Sequence, residues 1–143
     1  MPRLKPLAAF AMVALFGCQY SLAEDRQLSS ESGPLQVHTV AEGLANPWAV
    51  AFLPDGQGYL VTERSGALRR VSTEGQLSEP LRGVPEVFAV NQGGLLDVVL
   101  SPDFTEDRLV YLSYAEKGDG AAGTAVGRGK LSADASALER FDS

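Results

Sequence analysis

Sulfur and imidazole are nearly absent from this chain: 143 residues hold one cysteine, Cys18, and one histidine, His38. A single cysteine excludes an intrachain disulfide and a cysteine-type zinc site. His38 stands beside a strand-like stretch, and no motif supplies it with an Asp, Ser or Cys partner, so it reads as a surface or packing residue rather than a triad member. Clustered basic charge is lacking as well. Lys and Arg number 12 against 18 Asp and Glu, for a net charge of −6. Arg3 and Lys5 lie in the first 23 residues, which hold no acid, so the remainder carries −8. Such a chain lacks the electrostatic footprint of a nucleic-acid binder, and no nucleic-acid partner is expected. Arg64, Arg69, Arg70 and Arg82 are scattered among acids and read as solvated surface charges. Long apolar runs are missing too: Pro6 to Gly17 falls short of the roughly 20 residues that a membrane-spanning helix needs.

That short apolar run has a different reading. Arg3 and Lys5 form a positive leader, residues 6–17 the apolar segment, and Ser21-Leu22-Ala23 puts small residues at the positions of a cleavage before Glu24. Residues 1–23 are therefore expected to be a secretion signal. Leu15-Phe16-Gly17-Cys18 also resembles a bacterial lipobox, with a bulky Phe16, which would make Cys18 a lipidated N-terminus. Both readings export the protein, to the periplasm or beyond, with no transmembrane segment after cleavage.

The rest is ordinary globular composition, with 45% apolar and 21% charged residues. Residues 24–34, rich in serine and ending in Gly33-Pro34, read as a flexible lead-in, and Leu35 to Ala41 as a strand. Trp48 to Leu53 is a nearly apolar strand stopped by Pro54-Asp55-Gly56. Tyr59 to Arg64 follows, then a Ser65-Gly66 turn, then Ala67 to Ser72. Three short strands joined by glycine turns spell an antiparallel meander.

The pattern then begins again. The polar turn Asn91-Gln92-Gly93-Gly94 feeds the apolar run Leu95 to Leu100, expected to be a strand buried on both faces. Ser101-Pro102-Asp103 closes it, 48 residues after Leu53-Pro54-Asp55. Leu109 to Tyr114 and Gly123 to Leu131 repeat the two return strands. A multi-strand unit recurring at about 45 residues is the sequence signature of β-propeller blades, against the plainer alternative of two similar hairpins. The glycine-rich Lys117 to Ala122 lacks phosphate-loop spacing and has no helix after it. Residues 132–143 are polar, with Leu138 and Phe141, and end without a structural stop signal. The fold class expected is all-β, the first two or so blades of a propeller over residues 35–143. Two blades leave open strand edges, so the chain is expected to be the N-terminal part of a longer protein.

The motif set has a family likeness. Gly43-Leu44-Ala45-Asn46-Pro47-Trp48-Ala49-Val50-Ala51-Phe52-Leu53-Pro54-Asp55-Gly56 and Leu60-Val61-Thr62-Glu63-Arg64 resemble the opening blade of soluble PQQ-dependent aldose sugar dehydrogenases, the glucose/sorbosone dehydrogenase family. Gly83-Val84-Pro85-Glu86-Val87, Gln92-Gly93-Gly94-Leu95-Leu96-Asp97-Val98, Pro102-Asp103-Phe104, Tyr111-Leu112-Ser113-Tyr114 and Gly123-Thr124-Ala125-Val126 follow in the family's order. The resemblance covers about residues 36–131. It implies a six-bladed propeller binding pyrroloquinoline quinone (PQQ) and calcium, and oxidation of an aldose at C1 to the lactone with hydride transfer to the quinone and electrons passed to an external acceptor. It implies that no catalytic, cofactor or metal residue lies in this stretch: the family's histidine base, in a segment like Asn-His-Phe-Gly, is expected downstream of Ser143. One position carries over. Gln92 matches a glutamine on the substrate side of the pocket, whose amide both donates to and accepts from sugar hydroxyls. Asn91 departs from the glycine common there. This stretch by itself is expected to be inactive. The competing readings are a non-catalytic propeller serving as a binding or scaffolding module, and an inactive truncated product.

Overall fold

The computed structural model describes residues 26–143, which fall into two compact units divided after His38. The expected signal stretch and Cys18 lie outside the described residues.

In the first unit, β1 (Arg26–Ser30) pairs antiparallel with β2 (Gly33–Val37), with Ser30 opposite Gly33. This corrects two sequence expectations. Part of the stretch read as a flexible lead-in is a hairpin, and the strand read over residues 35–41 ends at Val37. The cause is turn chemistry that also resembles a linker: Gly33 takes φ 122°, and the Ser30 hydroxyl donates to the Gly33 carbonyl at 2.7 Å. Both strands are exposed along almost their whole length, and only Leu35 to Val37 of β2 shows an alternation in the sequence. His38 follows β2 at the end of this unit.

The second unit is two antiparallel sheets. The first has the order β3 (Pro47–Phe52), β4 (Tyr59–Glu63), β5 (Ala67–Val71). The second has the order β6 (Leu95–Leu100), β7 (Leu109–Lys117), β8 (Ala122–Leu131), β9 (Leu138–Asp142). Each is a meander of neighbours in sequence, as the glycine turns predict. The likeness between the sheets extends to irregularities. Both first strands carry a register shift near their start, between Pro47 and Ala49 and between Leu95 and Val98. They end 48 residues apart, at Phe52 and Leu100. A 3-10 turn (Pro54–Gly56) follows β3, and a one-turn helix, α1 (Phe104–Asp107), follows β6.

An irregular segment, residues 72–82, runs beside β5 and is bridged to it at Leu77 opposite Val71. Ser72 N–H donates to Gln76 O, Ser78 N–H to Arg70 O, and Leu81 N–H to Leu68 O, each within 2.9 Å. The same segment reaches the second sheet: Arg82 N–H donates to Ser136 O and Leu138 N–H to Arg82 O. The second sheet's fourth strand, β9, lies in the polar residues 132–143, which spell no strand in the sequence, because only Leu138 of its five residues is fully buried.

The sheets pack face to face, with β6 across β3 and β4. Leu60 and Leu68 of the first sheet meet Leu95, Val98, Leu112, Leu131 and Leu138 of the second in one buried core. The interface also has a polar weld. Thr62 is fully buried; its Oγ1 donates to Leu96 O at 2.6 Å and accepts from Ala49 N–H at 3.1 Å. A buried hydroxyl with both roles filled costs nothing in unmet hydrogen bonds and fixes how the sheets register. Glu63, also buried, accepts from Ala45 N–H at 2.6 Å and faces Arg69 at 3.5 Å.

One expectation of burial is corrected. The apolar run Leu95 to Leu100 is covered on one face only: Leu95 and Val98 are buried, whereas Asp97 and Val99 are exposed. β3 behaves likewise, with Trp48, Val50 and Phe52 exposed to 51%, 51% and 72%. Apolar residues stand on the exposed face as well (Trp48, Val50 and Phe52 of β3, Val99 of β6), so a one-sided strand reads in sequence as a continuous apolar run. The outward face of the first sheet is apolar, and Val50, Phe52 and Val61 line a cavity of about 320 Å³ with Val40, Ala41 and Leu44.

At the far end of the second sheet, carboxylates secure turns. Asp107 accepts from Ser101 Oγ at 2.6 Å and Leu109 N–H at 2.8 Å, and these bonds hold its carboxyl below the usual range, the Leu109 amide foremost. Asp134, bonded by Ser132 Oγ and by Ser136, is lowered to about 2.

Candidate functional site

The polar turn before β6 is where this framework concentrates its constraints. Gly93 N–H donates to Val90 O at 2.8 Å, closing a four-residue turn with Asn91 and Gln92 at its centre. Asn91 takes φ 53°, a left-handed conformation that asparagine adopts more readily than most residues. Gln92 is exposed at this apex.

Both sheets grip the turn. From the second sheet, Phe88 N–H donates to Ala115 O at 2.7 Å and Ala115 N–H to Gly94 O at 2.8 Å, so β7 holds the chain on either side of the apex. From the first sheet comes Arg64, the residue after β4. Its Nη1 donates to Asn91 O at 2.8 Å and Gly93 O at 3.1 Å, and its own carbonyl accepts from Leu95 N–H at 3.0 Å. The contact is too close for a side chain in between. Gly94 has φ 145°, and a Cβ there would overlap the Arg64 carbonyl oxygen and stand 2.7 Å from Arg64 Cγ.

Beside the turn lies a cavity of about 330 Å³. Asn91, Gln92 and Gly93 form one wall, Ala115 and the start of β8 (Ala122, Gly123, Thr124) another, and Phe88, Val90 and Leu96 supply apolar surface. The volume is within the range of small-molecule sites, and mostly apolar walls with a few polar groups are their usual make-up. Every lining side chain is uncharged. Two amides and one hydroxyl offer hydrogen bonds to a neutral, polyhydroxylated ligand and no counter-charge to an anion.

Gln92, expected beside a substrate, lies on the cavity wall; a sequence reading alone has further gaps here. It missed Thr124, which arrives across the β7–β8 hairpin opposite Ala115. It also misjudged three of the arginines. Arg64, Arg69 and Arg70 are half-buried and donate to the Asn91 and Gly93 carbonyls, to Ser78 O at 2.7 Å and to Gln57 O at 3.0 Å respectively, whereas Arg82 is exposed as expected, 3.4 Å from Ser136 Oγ. Guanidinium forks suit such carbonyl clamping, and no local spacing rule announces it when the acceptors lie far along the chain.

Among the described residues, no group of three or more His, Cys, Asp or Glu side chains comes together as a metal would need. The cavity's neutral lining likewise supplies no cation for a polycarboxylate cofactor. The residues at this site fit a neutral polar ligand and do not fit PQQ or calcium.

Two stacked antiparallel meanders, repeating each other down to the irregularity of the first strand, define an all-β protein of the propeller type. Comparison with known proteins makes the assignment specific. The Glucose / Sorbosone dehydrogenase family model matches residues 44–143. The aldose sugar dehydrogenase YliI of Escherichia coli (strain K12) is 54% identical over 108 residues, 75% of this chain and 29% of the relative. The crystal structure of the soluble aldose sugar dehydrogenase from Escherichia coli in the apo-form is 57% identical with a TM-score of 0.67, over 69% of this chain and 29% of that one. The PQQ-bound form of an aldose sugar dehydrogenase from Streptomyces coelicolor is 30% identical with a TM-score of 0.66, over 84% of this chain and 34% of that one. The chain belongs to the glucose/sorbosone dehydrogenase family. It spans about a third or less of the length of these relatives.

Proposed function

We propose that this chain is the N-terminal part of an exported quinoprotein that oxidises aldose sugars at C1 to lactones, built as a six-bladed propeller of which residues 35–143 contribute about two blades. The observation that carries the reading is the hydrogen-bonded Asn91–Gly94 turn with Gln92 on the wall of an uncharged cavity, in a chain of this family. A sugar ring offers hydroxyls of both polarities, and an amide can answer each. Gln92 is assigned to substrate binding, with the Thr124 hydroxyl and the apolar Phe88 and Leu96 beside it.

PQQ, when bound, supplies the two-electron acceptor for the C1 hydride; in this proposal it and calcium are held by residues outside 26–143, as is the histidine base. The work of residues 26–143 is to seat and orient the sugar, and an external acceptor takes up the electrons. Residues 1–23 are assigned to the export signal, with Cys18 as the alternative, lipidated N-terminus. Among the described residues no helix is long and apolar enough to cross a membrane.

The test is a turnover assay on the full-length protein loaded with PQQ and calcium, with a panel of aldoses and an artificial acceptor. Aldose-dependent acceptor reduction with one lactone formed per two electrons is expected. Sugar binding without oxidation, with the cofactor demonstrably bound, would favour the non-catalytic binding module instead.

A further inference from the structure

We propose that Arg64 is a positioning residue for sugar recognition: its guanidinium, reaching from the first sheet, sets the conformation of the turn that presents Gln92. This rests on the reading of Gln92 as a sugar contact.

Gln92 is exposed and sits at the apex of a turn whose own closure is one hydrogen bond, Gly93 N–H to Val90 O. A single such bond leaves the apex free to rock. Arg64 Nη1 bonds the carbonyls on both sides of Gln92, those of Asn91 and Gly93, at 2.8 and 3.1 Å. The Asn91 carbonyl lies in the peptide plane entering Gln92, the plane leaving it is held by the Gly93 N–H to Val90 O bond, and the bond to Gly93 O pins the plane after that, so together they fix the direction in which Gln92 leaves the backbone. Arg64 is itself anchored. It directly follows the buried Glu63, whose carboxylate holds Ala45 N–H, and its carbonyl accepts from Leu95 N–H at 3.0 Å. The glycine at 94 lets the Arg64 backbone approach without a Cβ in the way. A contact made by a residue held from two sheets loses less entropy on binding than one made by a loose loop.

Lysine replaces this clamp only in part. Its ammonium is a point donor on a flexible stem, whereas the guanidinium is a preformed planar fork.

The experiment uses the full-length protein with Arg64→Ala, Arg64→Lys, Gln92→Ala and the Arg64→Ala/Gln92→Ala pair, reading KM, kcat and amide hydrogen exchange. Arg64→Ala is expected to raise KM about tenfold, the scale of one coupled polar interaction, with a smaller rise for Arg64→Lys. Exchange at the Gly93 amide is expected to quicken while the amides at the centre of β7 stay protected. In the Gln92→Ala background, Arg64→Ala should add little further to KM, because the residue it positions is gone. An Arg64→Ala effect on KM that persists undiminished in that background, or a Gly93 amide that exchanges as in the parent, overturns the positioning role. A KM that rises in Gln92→Ala but not in Arg64→Ala defeats this proposal alone. A KM unchanged in Gln92→Ala removes the sugar contact, and the positioning role with it.

Discussion

Gly94→Ala is expected to destabilise the protein by about 2–4 kcal/mol, combining left-handed backbone strain with a steric overlap that only backbone movement relieves. Gly94 sits at φ 145°, in a region L side chains rarely adopt, and its missing Cβ is the space the Arg64 carbonyl occupies. Relief would push β6 away from β4, straining the Leu95 N–H to Arg64 O bond and the Thr62 to Leu96 weld beside it. Gly123→Ala is the internal control: nothing lies within 4 Å of a Cβ there, and a change within about 0.5 kcal/mol is expected for such an open surface site. Denaturant midpoints of the two variants in the full-length protein make the comparison. Equal midpoints would mean that the close approach of the two sheets at Gly94 carries no stability.

Gln92→Ala is expected to raise KM for the aldose by about 5- to 150-fold, the effect of deleting one polar partner of a sugar hydroxyl worth about 1–3 kcal/mol. Because Gln92 is exposed at the turn apex, the same change should leave folding stability within about 0.5 kcal/mol. The contrast with Gly94→Ala separates sugar contact from loop architecture. A KM equal to that of the parent would reduce Gln92 to a residue that merely completes the turn.

The fold was legible where strands are bounded by glycine and proline. Pro54-Asp55-Gly56, Ser65-Gly66 and Pro102-Asp103 mark strand ends by local chemistry, and the 48-residue spacing of the two Pro-Asp pairs revealed the repeat. What stayed hidden was set by distant contacts. β9 is held by pairing with β8, by the buried Leu138 and by Phe141 beside Tyr114, and the irregular segment along β5 by scattered backbone bonds. The β1–β2 hairpin is exposed on both faces; Leu35 to Val37 of β2 alternates in the sequence, but β1 carries no alternation to read. The site divides in the same way. Gln92 was visible because its glycine neighbours mark a turn and its motif belongs to a family. Arg64 and Thr124 were not, because each reaches the turn from another hairpin across 27 or more residues of chain.

The most direct test of the account is the rate of acceptor reduction by the PQQ-loaded full-length protein with an aldose deuterated at C1, set against the unlabelled sugar. The account predicts turnover with both sugars, slower with deuterium, since the C1–H bond breaks during oxidation to the lactone. Turnover without any effect of the label at limiting sugar, or none at all with the cofactor bound, would contradict it.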